Sequence, residues 1–136
     1  IQMEPKLPVL KKNLSNDTEE LDLVLANQLD NPFWLSMQSP VIFVECKNWS
    51  SSVGAPEARV FESKLRERGN ICKVGIFVAL NGITAPFTKV VKGIQSQGLI
   101  IFVITGDEIR EMLDSKMSLP EWIIESGTVK ILEFNS

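Results

Sequence analysis

The stretch Val41-Ile42-Phe43-Val44-Glu45-Cys46-Lys47 (VIFVECK) decides how this chain is read. Its apolar, β-branched content is that of a central strand. Side chains alternate between faces along a strand, so Glu45 and Lys47 project to one side, and Ile42, Val44 and Cys46 to the other. Charge inside so apolar a strand is costly to bury unless it meets partners. A second interruption lies upstream. In Leu21 to Ala26 (LDLVLA), Leu21, Leu23 and Leu25 share one face and Asp22 breaks the other. If the two strands are neighbours, Asp22, Glu45 and Lys47 converge on one side of a sheet, with Glu20 bordering them.

Working outward, Lys6 to Leu14 reads as a first strand and Ser15-Asn16-Asp17-Thr18 as a turn. Asn27 to Pro40, with Pro32, Phe33 and Trp34, is long for a hairpin loop and is read as an insertion. After the central strand, Pro56 opens a helix to about Arg68, with Gly69 as its stop. Ala58, Phe61 and Leu65 form its apolar face, and Glu62 and Arg66 stand at an i,i+4 spacing. Val74 to Leu80 is a buried strand. Thr84 then caps a helix lined by Phe87, Val90, Val91 and Ile94 and ended by Gly98. Leu99 to Ile104 is another buried strand, followed by a helix from Asp107 to Asp114. Ser118 and Glu121 suggest a capping box near Trp122, and Val129 to Phe134 reads as a final strand. The order predicts an α/β fold with a mixed β-sheet flanked by helices.

Composition narrows the chemistry. The 136 residues suit one domain, and 44% hydrophobic with 23% charged residues is the balance of a folded soluble protein. There is no histidine and only two cysteines, Cys46 and Cys72, so this chain offers no Ser-His-Asp or Cys-His catalysis and no four-cysteine zinc site. Two cysteines make no disulfide framework, no secretory leader opens the chain, and no apolar run approaches the roughly 20 residues of a membrane span. A reducing, cytoplasmic setting without a membrane is the expectation. The chain starts at Ile1, which points to a single domain excised from, or part of, a larger chain. Net charge is −3, yet residues 45–92 carry eight basic and four acidic groups, so a basic middle sits inside an acidic whole.

Converging carboxylates at Asp22 and Glu45 would line an oxygen site for Mg²⁺ or Mn²⁺, ions that keep several waters and favour phosphate-bearing substrates. The backbone carbonyl of Cys46 would add a third protein oxygen. Lys47 would orient a water or offset charge developing on the phosphate. Asp22 followed by Glu45-Cys46-Lys47 resembles the PD-(D/E)xK nuclease superfamily with the restriction-endonuclease-like fold. EELDLVLAN (19–27), VECKNW (44–49) before Val53-Gly54 and a helix, and VGIFVALNGITAPFTK (74–89) are similar to its Mrr-like restriction endonuclease branch. The likeness spans roughly residues 19–114. Leu21 stands where the proline that names the motif would be, and little chain precedes the first strand, where the family core has a helix.

The resemblance implies an Mg²⁺-dependent endonuclease of restriction or repair type, hydrolysing phosphodiesters in DNA to a 5′-phosphate and a 3′-hydroxyl. Asp22 and Glu45 would hold metal and Lys47 would assist the water. RNA is an alternative substrate. Cutting both strands would favour a homodimer, and sequence recognition would lie in a domain outside this chain or in the 27–40 insertion. The rival reading is a non-catalytic module that keeps the fold and binds nucleic acid or protein. Other residues carry two readings each. Arg59, Lys64, Arg66 and Arg68 form either a phosphate-facing surface or a solvated helix face, as do Lys89 and Lys92. Trp49 either stacks on a base or covers the core edge. Glu20 is a solvated strand-start residue or a support for the site, Glu57 favours the helix dipole rather than a metal, and Cys46 is a core residue.

Overall fold

The structure, a computed structural model, describes residues 5–14 and 20–134. Five strands form one sheet in the order β1 (Val9–Leu14), β2 (Glu20–Ala26), β3 (Val41–Lys47), β4 (Val74–Ala79) and β5 (Ile100–Thr105). The β1–β2 and β2–β3 pairs are antiparallel and the β3–β4 and β4–β5 pairs are parallel. The change of sense follows the connections. The segment 27–40 returns the chain antiparallel from β2 to β3, whereas helices α2 (Ala55–Glu67) and α3 (Ala85–Gln95) carry it back across the sheet for the parallel pairs. The expected α/β mixed sheet flanked by helices is what forms. The turn expected at Ser15 to Thr18 lies outside the described residues.

Two apolar layers cover the sheet. On one face Phe43, Phe77, Ile101 and Val103 meet Ala58, Phe61 and Leu65 of α2 and Phe87, Val91 and Ile94 of α3. On the other, Ile42, Val44, Ile76, Phe102 and Ile104 meet Trp34, Met112, Trp122 and Ile123. These belong to α1 (Pro32–Leu35), α4 (Gly106–Asp114), α5 (Leu119–Trp122) and the π-helical segment Ile123–Gly127. The strand β3 therefore sorts its side chains as alternation requires. Phe43, Glu45 and Lys47 face α2, and Ile42, Val44 and Cys46 face away.

The expected strand at Val129 to Phe134 is instead helix α6 (Thr128–Phe134). The reason is a periodicity that starts further upstream. Ile123, Gly127 and Ile131 recur at four-residue spacing; Ile123 is fully buried and Ile131 packs on the same apolar cluster. Val129, which an alternating strand would place on the same face as Ile131, stands 51% exposed. Lys130 reaches from α6 to the Val103 carbonyl and the Glu108 carboxylate, tying the helix to β5 and α4.

The segment 27–40 also has a structural task. Trp34, 2% exposed, is part of the core, and the Ser39 hydroxyl donates to the Val41 carbonyl and accepts from the backbone N–H groups of Lys73 and Val74. Because it joins Ala26 to Val41, it lies at the opposite end of the β2–β3 pair from Glu20 and Lys47. If it carries recognition, it does so away from these charged residues. Four residues of strand, about 13 Å at ~3.3 Å per residue, separate Ala26 from Asp22.

At the other end, two loops are tied together. The Val53 N–H donates to the Gly82 carbonyl and the Thr84 N–H donates to the Val53 carbonyl. This holds the N-termini of α2 and α3 beside the end of β3. Close to it, Gly106 at the start of α4 sits against the Leu80 backbone carbonyl, where a β-carbon would overlap the oxygen. A backbone neighbour cannot rotate away, so Gly106→Ala is expected to lower stability by about 1–3 kcal/mol. Urea unfolding checks this, and an unchanged midpoint would show that the β4–α3 junction yields freely.

Candidate active site

The register of β2 against β3 sets the site. Asp22 is directly opposite Glu45, and Glu20 is directly opposite Lys47. All four lie on the α2 side of the sheet, so the convergence expected of Asp22, Glu45 and Lys47 is present. Glu45 is fully buried, the Lys47 side chain is 7% exposed and that of Asp22 is 21% exposed. Like charges directly opposite in an antiparallel pair repel, and with Glu45 cut off from water the repulsion is poorly screened. A cation between them relieves that repulsion.

Two lysines answer it. Lys47 Nζ lies 2.6 Å from Glu20 Oε1 and 3.2 Å from Glu45 Oε2. Glu20 thus has a defined place beside the site, as the counter-charge that fixes the Lys47 ammonium. The Lys47 ammonium also stands 5.3 Å from the centroid of the Trp49 ring. Trp49 packs against the α2-side core, in keeping with its reading as a core-edge residue.

The second lysine is one that sequence reasoning assigned to a surface. Lys64 of α2 reaches into the site, with Nζ 2.8 Å from Glu45 Oε1 and 3.2 Å from Asp22 Oδ2. Burial works against its charge, but the Glu45 and Asp22 carboxylates outweigh that and hold its pKa above the ordinary lysine value. A signal for it was present in the helix. Lys64 follows Phe61 by three residues and precedes Leu65 by one, at the border of the apolar face.

Its neighbours have other tasks. Arg66 pairs with Glu62 and also donates to Gln97, while Arg68 lies over the Phe43 ring at 4.1 Å and donates to the Lys64 carbonyl. Lys64, Arg66 and Arg68 are therefore engaged within the protein and do not form one phosphate-facing surface with Arg59. Cys46 points away from Glu45 and is half-buried rather than a core residue, and burial followed by the Glu45 charge pushes its thiol pKa up. Glu57 lies in the first turn of α2, where it favours the helix dipole.

The donor set fits a divalent ion in one respect and limits it in another. Asp22 Oδ1 and Glu45 Oε2 are buried and have no hydrogen-bond partner among the described residues. Glu45 Oε2 does lie at ion-pair distance from Lys47, but without hydrogen-bond geometry. Each opposed carboxylate thus keeps an oxygen that Lys64 does not satisfy. Among the described residues, however, no group of three or more His, Cys, Asp or Glu side chains gathers as a metal cage. Two carboxylates, completed by water and a backbone carbonyl, are what Mg²⁺ accepts, because it retains much of its hydration.

With this geometry in view, the family model of the Mrr catalytic domain, described as restriction endonuclease, matches residues 11–113. The chain belongs to this family. The match runs from β1 through α4 and includes β2, β3 and α2, the three elements that build the site. It supports nuclease function in general. No curated protein and no solved structure matches the chain. Among the described residues, no helix is long and apolar enough to cross a membrane.

Proposed function

We propose that this Mrr-family domain is a metal-dependent nuclease that hydrolyses phosphodiester bonds in DNA. The observation that carries the reading is the Asp22–Glu45 pair, opposed across β2 and β3, each side chain with one buried oxygen that makes no hydrogen bond among the described residues. These two carboxylates would hold Mg²⁺ or Mn²⁺, with the carbonyl of Cys46 as a further ligand. When bound, the ion would polarise the scissile phosphate and lower the pKa of an attacking water.

The protein's own groups do the rest. Glu45 and Glu20 hold the Lys47 ammonium in place at the end of β3, where it can orient the water and offset negative charge growing on the phosphate. Burial of Glu45 and Lys47 lowers the local dielectric and strengthens both effects. Two copies of such a centre, in a homodimer or by successive encounters, are needed to sever both strands of a duplex.

The test compares the native chain with Lys47→Ala on supercoiled plasmid, linear DNA and RNA, in Mn²⁺ or Mg²⁺. Metal-dependent DNA nicking that falls about 10²–10³-fold in a folded Lys47→Ala variant is the expected result. Linear product appearing together with nicked circles would indicate paired centres. One observation favours a second reading, a non-catalytic binding module. Lys64 already neutralises both carboxylates, as a purely structural ion-pair network would. Absence of both cleavage and any thermal stabilisation by millimolar metal would establish that module instead.

A further inference from the structure

We propose that Lys64 is a displaceable stand-in for the divalent ion: its ammonium occupies the position between Asp22 and Glu45, and a metal binds only by expelling it. The inference rests on the metal-dependent reading of this site. It starts from contact geometry. Lys64 Nζ bridges one oxygen of each opposed carboxylate, at 3.2 Å from Asp22 and 2.8 Å from Glu45, which is the bridging task a divalent ion would perform.

Charge makes the substitution imperfect. Glu20, Asp22 and Glu45 face Lys47 and Lys64, leaving one uncompensated negative charge and, on Asp22 and Glu45, an oxygen each that makes no hydrogen bond among the described residues. With Lys64 expelled, three carboxylates face Lys47 alone. The excess of two negative charges is then the complement of a divalent cation.

The two lysines differ in their freedom to leave. Lys47 projects from a central strand, its side chain 7% exposed and its ammonium held by Glu20. Lys64 projects from a helix on a flexible four-carbon stem, with 28% of its side chain already in solvent. It can swing outward by side-chain rotation without moving α2, and its ammonium regains water when it does. The remainder of α2 stays anchored by Phe61 and Leu65, which are 1% and 0% exposed.

Competition of this kind has a measurable signature. The apparent metal affinity of the native chain equals the intrinsic affinity reduced by the fraction of molecules with Lys64 swung out. Removing the ammonium removes that reduction. Mn²⁺ binding by calorimetry is therefore expected to be about tenfold tighter in Lys64→Met than in the native chain, taking ~10% as the open fraction. Lys64→Arg, which restores a cation, is expected to bind as weakly as the native chain or more so. Metal-free Lys64→Met is expected to melt below the native chain, and saturating Mn²⁺ to narrow or reverse that gap.

A direct readout is the ¹³Cε resonance of Lys64 in the native chain, which should move on titration with diamagnetic Mg²⁺. It also serves if Lys64→Met does not fold. Equal Mn²⁺ affinity in the native chain and Lys64→Met, or a Lys64 resonance that stays still while Mg²⁺ binds, would overturn this proposal and leave the metal site standing. Failure of every variant and of the native chain to bind either ion would overturn both.

Discussion

Glu45→Gln is expected to abolish metal-dependent DNA cleavage, with a loss of about 10³-fold or more if the residue acts as a unit with Asp22 and Lys47. The substitution keeps the shape of the side chain and removes its charge, which isolates the electrostatic role. Glu45 is the hub of the network. It contacts Lys47 through one oxygen and Lys64 through the other, and it is the fully buried member of the opposed pair. A neutral amide in its place leaves Asp22 without its opposed carboxylate. The thermal gain from millimolar Mn²⁺ is expected to vanish together with the activity. A folded Glu45→Gln variant that retained both would move the metal centre off β3 and remove the basis of the proposed mechanism.

The second large effect is on stability. Phe61→Ala is expected to cost about 3–5 kcal/mol, a large share of the ~5–15 kcal/mol that holds a typical domain together. Phe61 is 1% exposed, stacks on Phe43 at 5.4 Å and meets Phe77 edge-on at 5.1 Å. Its ring also lies against Gly75 of β4, so close that a β-carbon there would come within 2.7 Å of it. That glycine lets α2 approach the sheet, and it has no side chain to fill the void that truncation leaves. The same approach places Lys64, one turn further along, within reach of Glu45. Urea unfolding of a metal-free sample measures the loss, and a cost below about 1 kcal/mol would show that the α2–sheet layer repacks freely.

These two residues illustrate what was legible in the sequence and what was not. Glu45 was legible because strand alternation is a local rule. Once VIFVECK is a strand, Glu45 and Lys47 must share a face with Phe43. Phe61 was legible for the same reason at helical period, as part of the apolar set Ala58, Phe61 and Leu65. The final helix was not. Residues 129–134 carry a pattern that serves a short strand nearly as well as a helix. The choice between them is made by Ile123 and Gly127 upstream, which set the face on which Ile131 lands.

Sequence alone therefore determined the class of fold, the order of most of its elements, and the three charged positions that converge on one side of the sheet. Those follow from periodicity and residue type, which act over a few residues. Tertiary structure decided what depends on long-range placement. It set the register that puts Asp22 directly opposite Glu45 and Glu20 opposite Lys47, where a shift of one residue would have turned Asp22 to the other face. It also brought Lys64 from a helix 19 residues downstream of Glu45 into the gap between the carboxylates. A lysine at the border of an apolar helix face reads alike whether it ends in water or between two carboxylates. The difference lies in the charges across from it, which the folded sheet supplies.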